Sequence, residues 1–235
     1  MSDKHKGILQ KLTQGLKDVY QEELVSIILY GSAVSGNFVD KYSNLNLLVV
    51  LKNTDIEVIK KSSKLTRGFK LSNTLFLTED YIANSIDIFT IEFLDMQENY
   101  FVLYGRDILK NIQIDIRNLR FQCEHELKAK LLKLKQAYLS LNNNILALRG
   151  LLFASFTSLL HILRNTLRIK GRKPPYLKHE VLKELALEFK IDICVWEKIL
   201  SAKNKEIKLS GREIEQLFIS FVRDLESVAD IVDKL

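Results

Sequence analysis

Eleven residues separate a Gly31-Ser32 pair from two asparagines, Asn44 and Asn46. Side chains at i and i+2 of an extended strand emerge on one face, so positions 44 and 46 converge on a single point. A glycine turn beside that point can offer backbone N–H groups to a phosphate, with the Ser32 hydroxyl as a further donor. Two carboxylates there would hold Mg²⁺ ions that grip a triphosphate and activate an attacking hydroxyl. Asparagine keeps the size and one carbonyl oxygen of aspartate but loses its charge. A pair of neutral amides therefore leaves little affinity for a hard, strongly hydrated Mg²⁺.

The elements that must position these residues lie between Leu24 and Leu51. Leu24 to Tyr30 is a β-rich apolar run of strand length, and Gly31-Ser32 turns the chain sharply after it. A short helix fits the spacer, and Leu45 to Leu51 reads as the next strand. In Gly31, Ser32, Gly36 and the spacing to Asn44-Leu45-Asn46, the chain resembles the nucleotidyltransferase superfamily of the polymerase-β type. The signature of that superfamily is an apolar strand, Gly-Ser, a spacer, and carboxylate-apolar-carboxylate opening the following strand. The resemblance implies a nucleotide ligand at Gly31 and Ser32. It also implies that Asn44 and Asn46 occupy degenerate metal-site positions, which makes Mg²⁺ a doubtful cofactor and gives a surviving scaffold without its metal.

Ile86 to Ile91 alternates as a fourth strand would, with Asp87 embedded in it. Members of the superfamily commonly carry a third carboxylate on this later strand. By resemblance, Asp87 is then the one remaining acidic ligand, or a base for the attacking hydroxyl. On the residues alone it reads equally well as a solvated acid on an edge strand. One carboxylate does not restore a two-metal site, whose work is to clamp both the attacking and the leaving oxygen. Asp40, in the spacer, reads as a solvated loop acid.

Around this centre the pattern is helical. Asp3 to Glu22 carries Ile8, Leu12, Leu16 and Val19 at helical spacing, and Asp55 to Lys64 is a Lys-rich helical stretch. Leu71 to Leu77 reads as a short strand, Thr78 as the cap of a helix ending near Asn84, Glu92 to Asn99 as a helix, and Phe101 to Gly105 as an apolar segment closed by glycine. From about Asn118 the hydrophobic period changes from 2 to 3.6, and five helices follow: Leu119–Leu141, Ile145–Ile169, Lys178–Phe189, Ile193–Leu200 and Ser210–Leu235. Ser210 and Glu213 spell a capping box. The expected fold class is α+β, a mixed sheet flanked by helices over residues 1–112, followed by an all-α helical bundle over 118–235. In similar nucleotidyltransferases such a bundle holds the acceptor substrate.

The 235 residues are 47% hydrophobic and contain two prolines and nine glycines, which suits long regular elements around an ordinary core. Cys123 and Cys194 stand singly in helical patterns and read as buried thiols, with no spacing for zinc. The N-terminus lacks the apolar core of a signal peptide, and Gly150 to Leu163 is shorter than a bilayer-spanning segment and follows Arg149, so a cytoplasmic protein without a membrane partner is expected. Residues 1–110 carry 13 basic and 14 acidic side chains and residues 111–235 carry 22 and 15, so the net charge of +6 belongs to the second half.

Arg164, Arg168, Lys170, Arg172 and Lys173 gather at the end of the apolar helix. They could grip nucleotide phosphates or RNA. The blander reading, capping of the helix dipole plus solubility, has the better physical case, and no RNA-binding aromatic motif accompanies the cluster. His125, His161 and His179 complete no Ser-His-Asp or Cys-His arrangement, and the glycines form neither a Walker nor a dinucleotide loop. Three functions remain: a degenerate nucleotidyltransferase acting as a nucleotide-binding or regulatory module, a working enzyme moving a nucleoside monophosphate to a small molecule or protein, and a helical interaction module with a protein partner or a second copy of itself.

Overall fold

Leu24–Tyr30 and Asn46–Leu51 form strands β1 and β2, paired antiparallel in the computed structural model, which describes residues 3–34, 45–68 and 74–235. Their side chains are almost wholly apolar, so both strands are buried on two faces. Ile27, Leu29, Leu47 and Val49 face one side, and Ile28, Leu48 and Val50 the other. Strand β3, Thr74–Leu77, runs parallel to β2, and β4, Tyr100–Gly105, runs antiparallel to β1, giving the order β3-β2-β1-β4.

Helix α1, Asp3–Tyr20, covers the Leu29 face. Its buried stripe is Leu9, Leu12, Leu16 and Tyr20, at spacings of three and four. The expected stripe through Ile8 and Val19 is turned slightly, and those two pack half-buried at its margin. Truncating Leu12, which is wholly buried, to alanine would cost about 2–5 kcal/mol. The Lys-rich stretch after β2 is two short helices rather than one, α2 (Ile56–Lys60) and α3 (Ser63–Gly68). Between them the buried Ser62 donates its hydroxyl to the Ile59 carbonyl at 3.0 Å. The Lys61 and Ser62 amides bond back only three residues, which tightens and ends the turn.

The opposite face is covered by α4, Glu79–Ala83, and α5, Thr90–Glu98, through Ile82, Phe93 and Met96. The Thr78 hydroxyl caps α4 by accepting from the Tyr81 amide at 3.0 Å. The expected fourth strand at Ile86–Ile91 is not a strand. The amides of Ile88 and Phe89 donate to the Ser85 carbonyl, and the buried Thr90 hydroxyl is shared between the carbonyls of Ile86 (2.9 Å) and Asp87 (3.1 Å). These bonds bend the segment into a turn that leads directly into α5.

The strand in fourth place is β4, and glycine closes it. Gly105 has φ +79°, and a Cβ there would lie 2.0 Å from the Val25 carbonyl oxygen, which no side chain could tolerate. Beside it the buried Ser26 hydroxyl is shared between the carbonyls of Tyr104 and Arg106, at 3.1 and 2.7 Å. Gln97 on α5 donates to the carbonyls of Leu109 (2.7 Å) and Ile112 (2.8 Å), tying down the chain that leaves β4.

The chain divides into two compact units, residues 1–114 and 115–235. The second is built from α6 (Ile116–Ser140), α7 (Ile145–Ile169), α8 (Lys178–Phe189), α9 (Ile193–Lys203) and α10 (Gly211–Asp233). Helix α7 contacts the other four, and its Phe156 packs with Trp196 and Phe221 at ring separations of 5.7 and 6.4 Å. At 25 residues α7 is longer than the apolar patch read from sequence and, among the described residues, is the one helix whose length and composition would let it cross a membrane. Its buried residues include Leu148, Leu152, Phe156, Leu159, Leu163 and Leu167. Cys123 is buried as expected, but Cys194 is exposed, because the buried residues of α9 are Trp196, Ile199 and Ala202.

Candidate functional site

Strand β1 ends at Tyr30, and Gly31 turns the chain with φ +80° into a single 3-10 turn, Gly31–Ala33, closed by the Val34 amide on the Gly31 carbonyl at 3.0 Å. The Gly31 amide donates to the Asn99 carbonyl at 2.8 Å, just before β4. That amide is spent inside the fold, so a phosphate cradle here would rest on the amides after it.

Asn46, the first residue of β2, stands against this turn. A Cβ on Gly31 would lie 3.1 Å from Asn46 Nδ2. In register, Asn46 is opposite Tyr30, and Tyr30 is opposite Tyr100 of β4. Residues directly opposite on antiparallel strands share a face. An amide and two phenols therefore form one rung across three strands at the end of the sheet, on the side where Ile28 and Leu48 are buried. Burial pushes the Tyr30 phenol above its ordinary range. Burial also raises that of Tyr100, helped by its 3.0 Å bond to the Asp107 carboxylate and by the charge of that group. Both phenols stay neutral donors at ordinary pH. Sequence reasoning missed Tyr30 and Tyr100 because only the pairing of β1 with β4 puts them beside Asn46.

Asn44, Gly36 and Asp40 lie outside the described residues, and of Ser32 only the backbone, within the 3-10 turn, is described. Asp87 is exposed in the turn between α4 and α5 rather than on a strand beside Asn46. Its backbone carbonyl is engaged by Thr90. Mg²⁺ fits these donors poorly. Asn46 offers one neutral oxygen, and among the described residues no three His, Cys, Asp or Glu side chains gather as a metal site would need.

The basic cluster at the end of α7 is divided among separate tasks. The Arg164 guanidinium donates to the carbonyls of Pro175 (2.9 Å) and Pro174 (3.4 Å) and lies 4.8 Å from the Tyr176 ring. Arg168 donates to the Asn165 side chain, and Arg172 pairs with Glu188 at 2.9 Å. Lys173 is exposed. Arg164 and Arg172 thus hold the loop after α7, while Arg168 bonds within the helix. His125, His161 and His179 are all exposed, His125 on α6, His161 on α7 and His179 on α8.

No protein-family model and no curated protein sequence matches the chain. Among solved structures, the crystal structure of the spectinomycin adenyltransferase AAD(9) from Enterococcus faecialis with ATP and spectinomycin is similar at a TM-score of 0.61. The match covers 94% of this chain and 99% of that chain at 13% sequence identity, a likeness of fold. The fold is accordingly nucleotidyltransferase-like α+β with a helical C-terminal part.

Proposed function

We propose that this protein is a nucleotidyltransferase-fold module whose transfer chemistry is impaired and which serves as a nucleotide-binding or regulatory protein. The observation that carries the reading is Asn46, a neutral amide packed against the Gly31 turn where a metal-binding carboxylate is expected. Asn44 in the sequence repeats the substitution. Without that charge the two-metal clamp on attacking and leaving oxygens is lost, while a turn and a polar rung at the strand ends remain to meet a nucleotide.

A second reading has its own support. The likeness to an adenyltransferase structure runs through both units, including the helical part. On this reading the chain is a working enzyme that moves a nucleoside monophosphate to a small molecule or protein.

Calorimetry with ATP, CTP and GTP, each with and without Mg²⁺, separates the two. Binding indifferent to metal is the expected result. Metal-dependent binding followed by pyrophosphate release would overturn impairment in favour of the working enzyme. Absence of all binding would remove the nucleotide from the account.

A further inference from the structure

The end of the sheet that carries the Gly31 turn also carries two phenols and a carboxylate. Tyr30 is the last residue of β1 and Tyr100 the first of β4, paired directly across the two strands, so their side chains share a face. The bond from the Gly31 amide to the Asn99 carbonyl holds the turn against the start of β4, so both tyrosines adjoin the turn. Their hydrogen bonds give them different chemistry. Tyr100 donates its hydroxyl to Asp107 Oδ2 at 3.0 Å, and a phenol has one proton to give, so only acceptor lone pairs are left on its oxygen.

Asp107 also accepts from the Lys110 amide, through Oδ1 at 3.1 Å. An ionised carboxylate has about four lone-pair sites, so these two bonds leave it able to accept more. It is exposed and makes no ion pair among the described residues, while Arg106 beside it pairs with Glu79. The Tyr30 hydroxyl makes no hydrogen bond among the described residues, and burial keeps that phenol neutral, so its proton is unspent. One free donor therefore stands near a phenol oxygen and a carboxylate that can only accept. A phosphate is a poor match, because it would bring further negative charge to a carboxylate with no counter-ion. A hydroxyl both gives and takes, so a pair of neighbouring hydroxyls fits: one gives its proton to Asp107 and the other accepts from Tyr30.

We propose that Asp107 and Tyr30 bind the ribose of the nucleotide, Asp107 accepting from one of its two hydroxyls and Tyr30 donating to the other, with Tyr100 orienting the carboxylate. Carboxylates take ribose hydroxyls in this way in other nucleotide sites. Resting on the nucleotide-binding reading, the assignment divides that ligand: phosphates to the amides after Gly31, sugar to the phenol side. The contact is blind to the base, so ATP, CTP and GTP are alike in it. It separates ribonucleotides from nucleotides that lack the hydroxyls.

The test is calorimetry of the full chain with ATP and 2′,3′-dideoxy-ATP, each with and without Mg²⁺, with far-UV circular dichroism confirming that each variant is folded. ATP is expected to bind about tenfold or more tightly than the dideoxy compound. Asp107→Asn should cut that preference by about fivefold or more, and Tyr30→Phe by about twofold or more. The preference is the quantity read, because removing a negative charge shifts the affinity of both triphosphates alike. In the chain carrying both substitutions the two nucleotides should bind equally. Equal affinities in the parent chain would overturn the ribose assignment and leave nucleotide binding standing. So would a preference for ATP that survives both substitutions. If neither nucleotide binds, the assignment falls together with the reading beneath it.

Discussion

Asn46 and Gly31 are fitted to each other: the side-chain amide of one stands 3.1 Å from where the other would carry a Cβ, and the backbone there has φ +80°. Replacing Gly31 by alanine therefore meets two penalties, a strained left-handed backbone and a crowded amide. The loss should be about 1–2 kcal/mol in urea unfolding. Part of it should return in the Gly31→Ala, Asn46→Ala pair, because only the crowding is relieved. Additive losses would show that the two side chains do not touch in solution.

Restoring charge is the complementary experiment. Asn44→Asp with Asn46→Asp should raise divalent-cation affinity above that of the parent chain, measured as Mn²⁺ retention by electron paramagnetic resonance and Mg²⁺ heats by calorimetry. If neither appears, the positions do not converge as i and i+2 of one strand require.

In the helical unit, the cap of α10 predicts an acid-sensitive contribution. The Glu213 carboxyl is lowered from 4.5 to about 2, chiefly by the Ser210 amide, then by Lys198 and the Ser210 hydroxyl. A depressed carboxylate stabilises the fold fully above its unfolded value near 4.5 and loses that contribution as pH falls toward 2. Thermal melts of Glu213→Gln should lose this part of the acid limb while keeping the same box geometry. Ser210→Ala should cost about 1 kcal/mol at neutral pH from the missing cap alone.

Asp224 predicts the opposite slope. Burial raises its carboxyl, only partly offset by the 2.7 Å bond from Trp196 Nε1 and by the Asp192 amide. A raised acid favours the fold below its unfolded value of 3.8, and that contribution is lost as pH rises through the raised folded value. Asp224→Asn keeps an acceptor for the indole and removes the charge, so at neutral pH it should be as stable as the parent or more so. Asp224→Ala strands the N–H of the fully buried Trp196 and should cost about 1–3 kcal/mol by chemical denaturation.

The central strands and two of the helix caps were legible because local chemistry determines them. β1 and β2 are continuous apolar runs, and Thr78, Ser210 and Glu213 cap the helices their spacing announced. Ile86-Asp87-Ile88-Phe89 misled because two-residue alternation mimics a strand, whereas Ser85 and Thr90, at either end, bond it into a turn. Cys194 misled because a helical pattern does not say which side of α9 meets Trp196's neighbours. The Tyr30–Tyr100 rung was illegible for another reason. It depends on β4 lying beside β1, with a bulge between Ile27 and Ile28 setting the register, and no local signal encodes a pairing across some 70 residues.

That pairing governs the order in which the molecule can be made. The first strand to leave the ribosome has one neighbour, β2, that follows soon after, and another, β4, that emerges much later. Until Tyr104 and Arg106 are available, the Ser26 hydroxyl lacks the two carbonyls it bonds and the outer edge of β1 stays open to any passing strand. The sheet therefore closes only once β4 has been made, and the helical unit has a long-range closure of its own, where α10 returns to pack on α6.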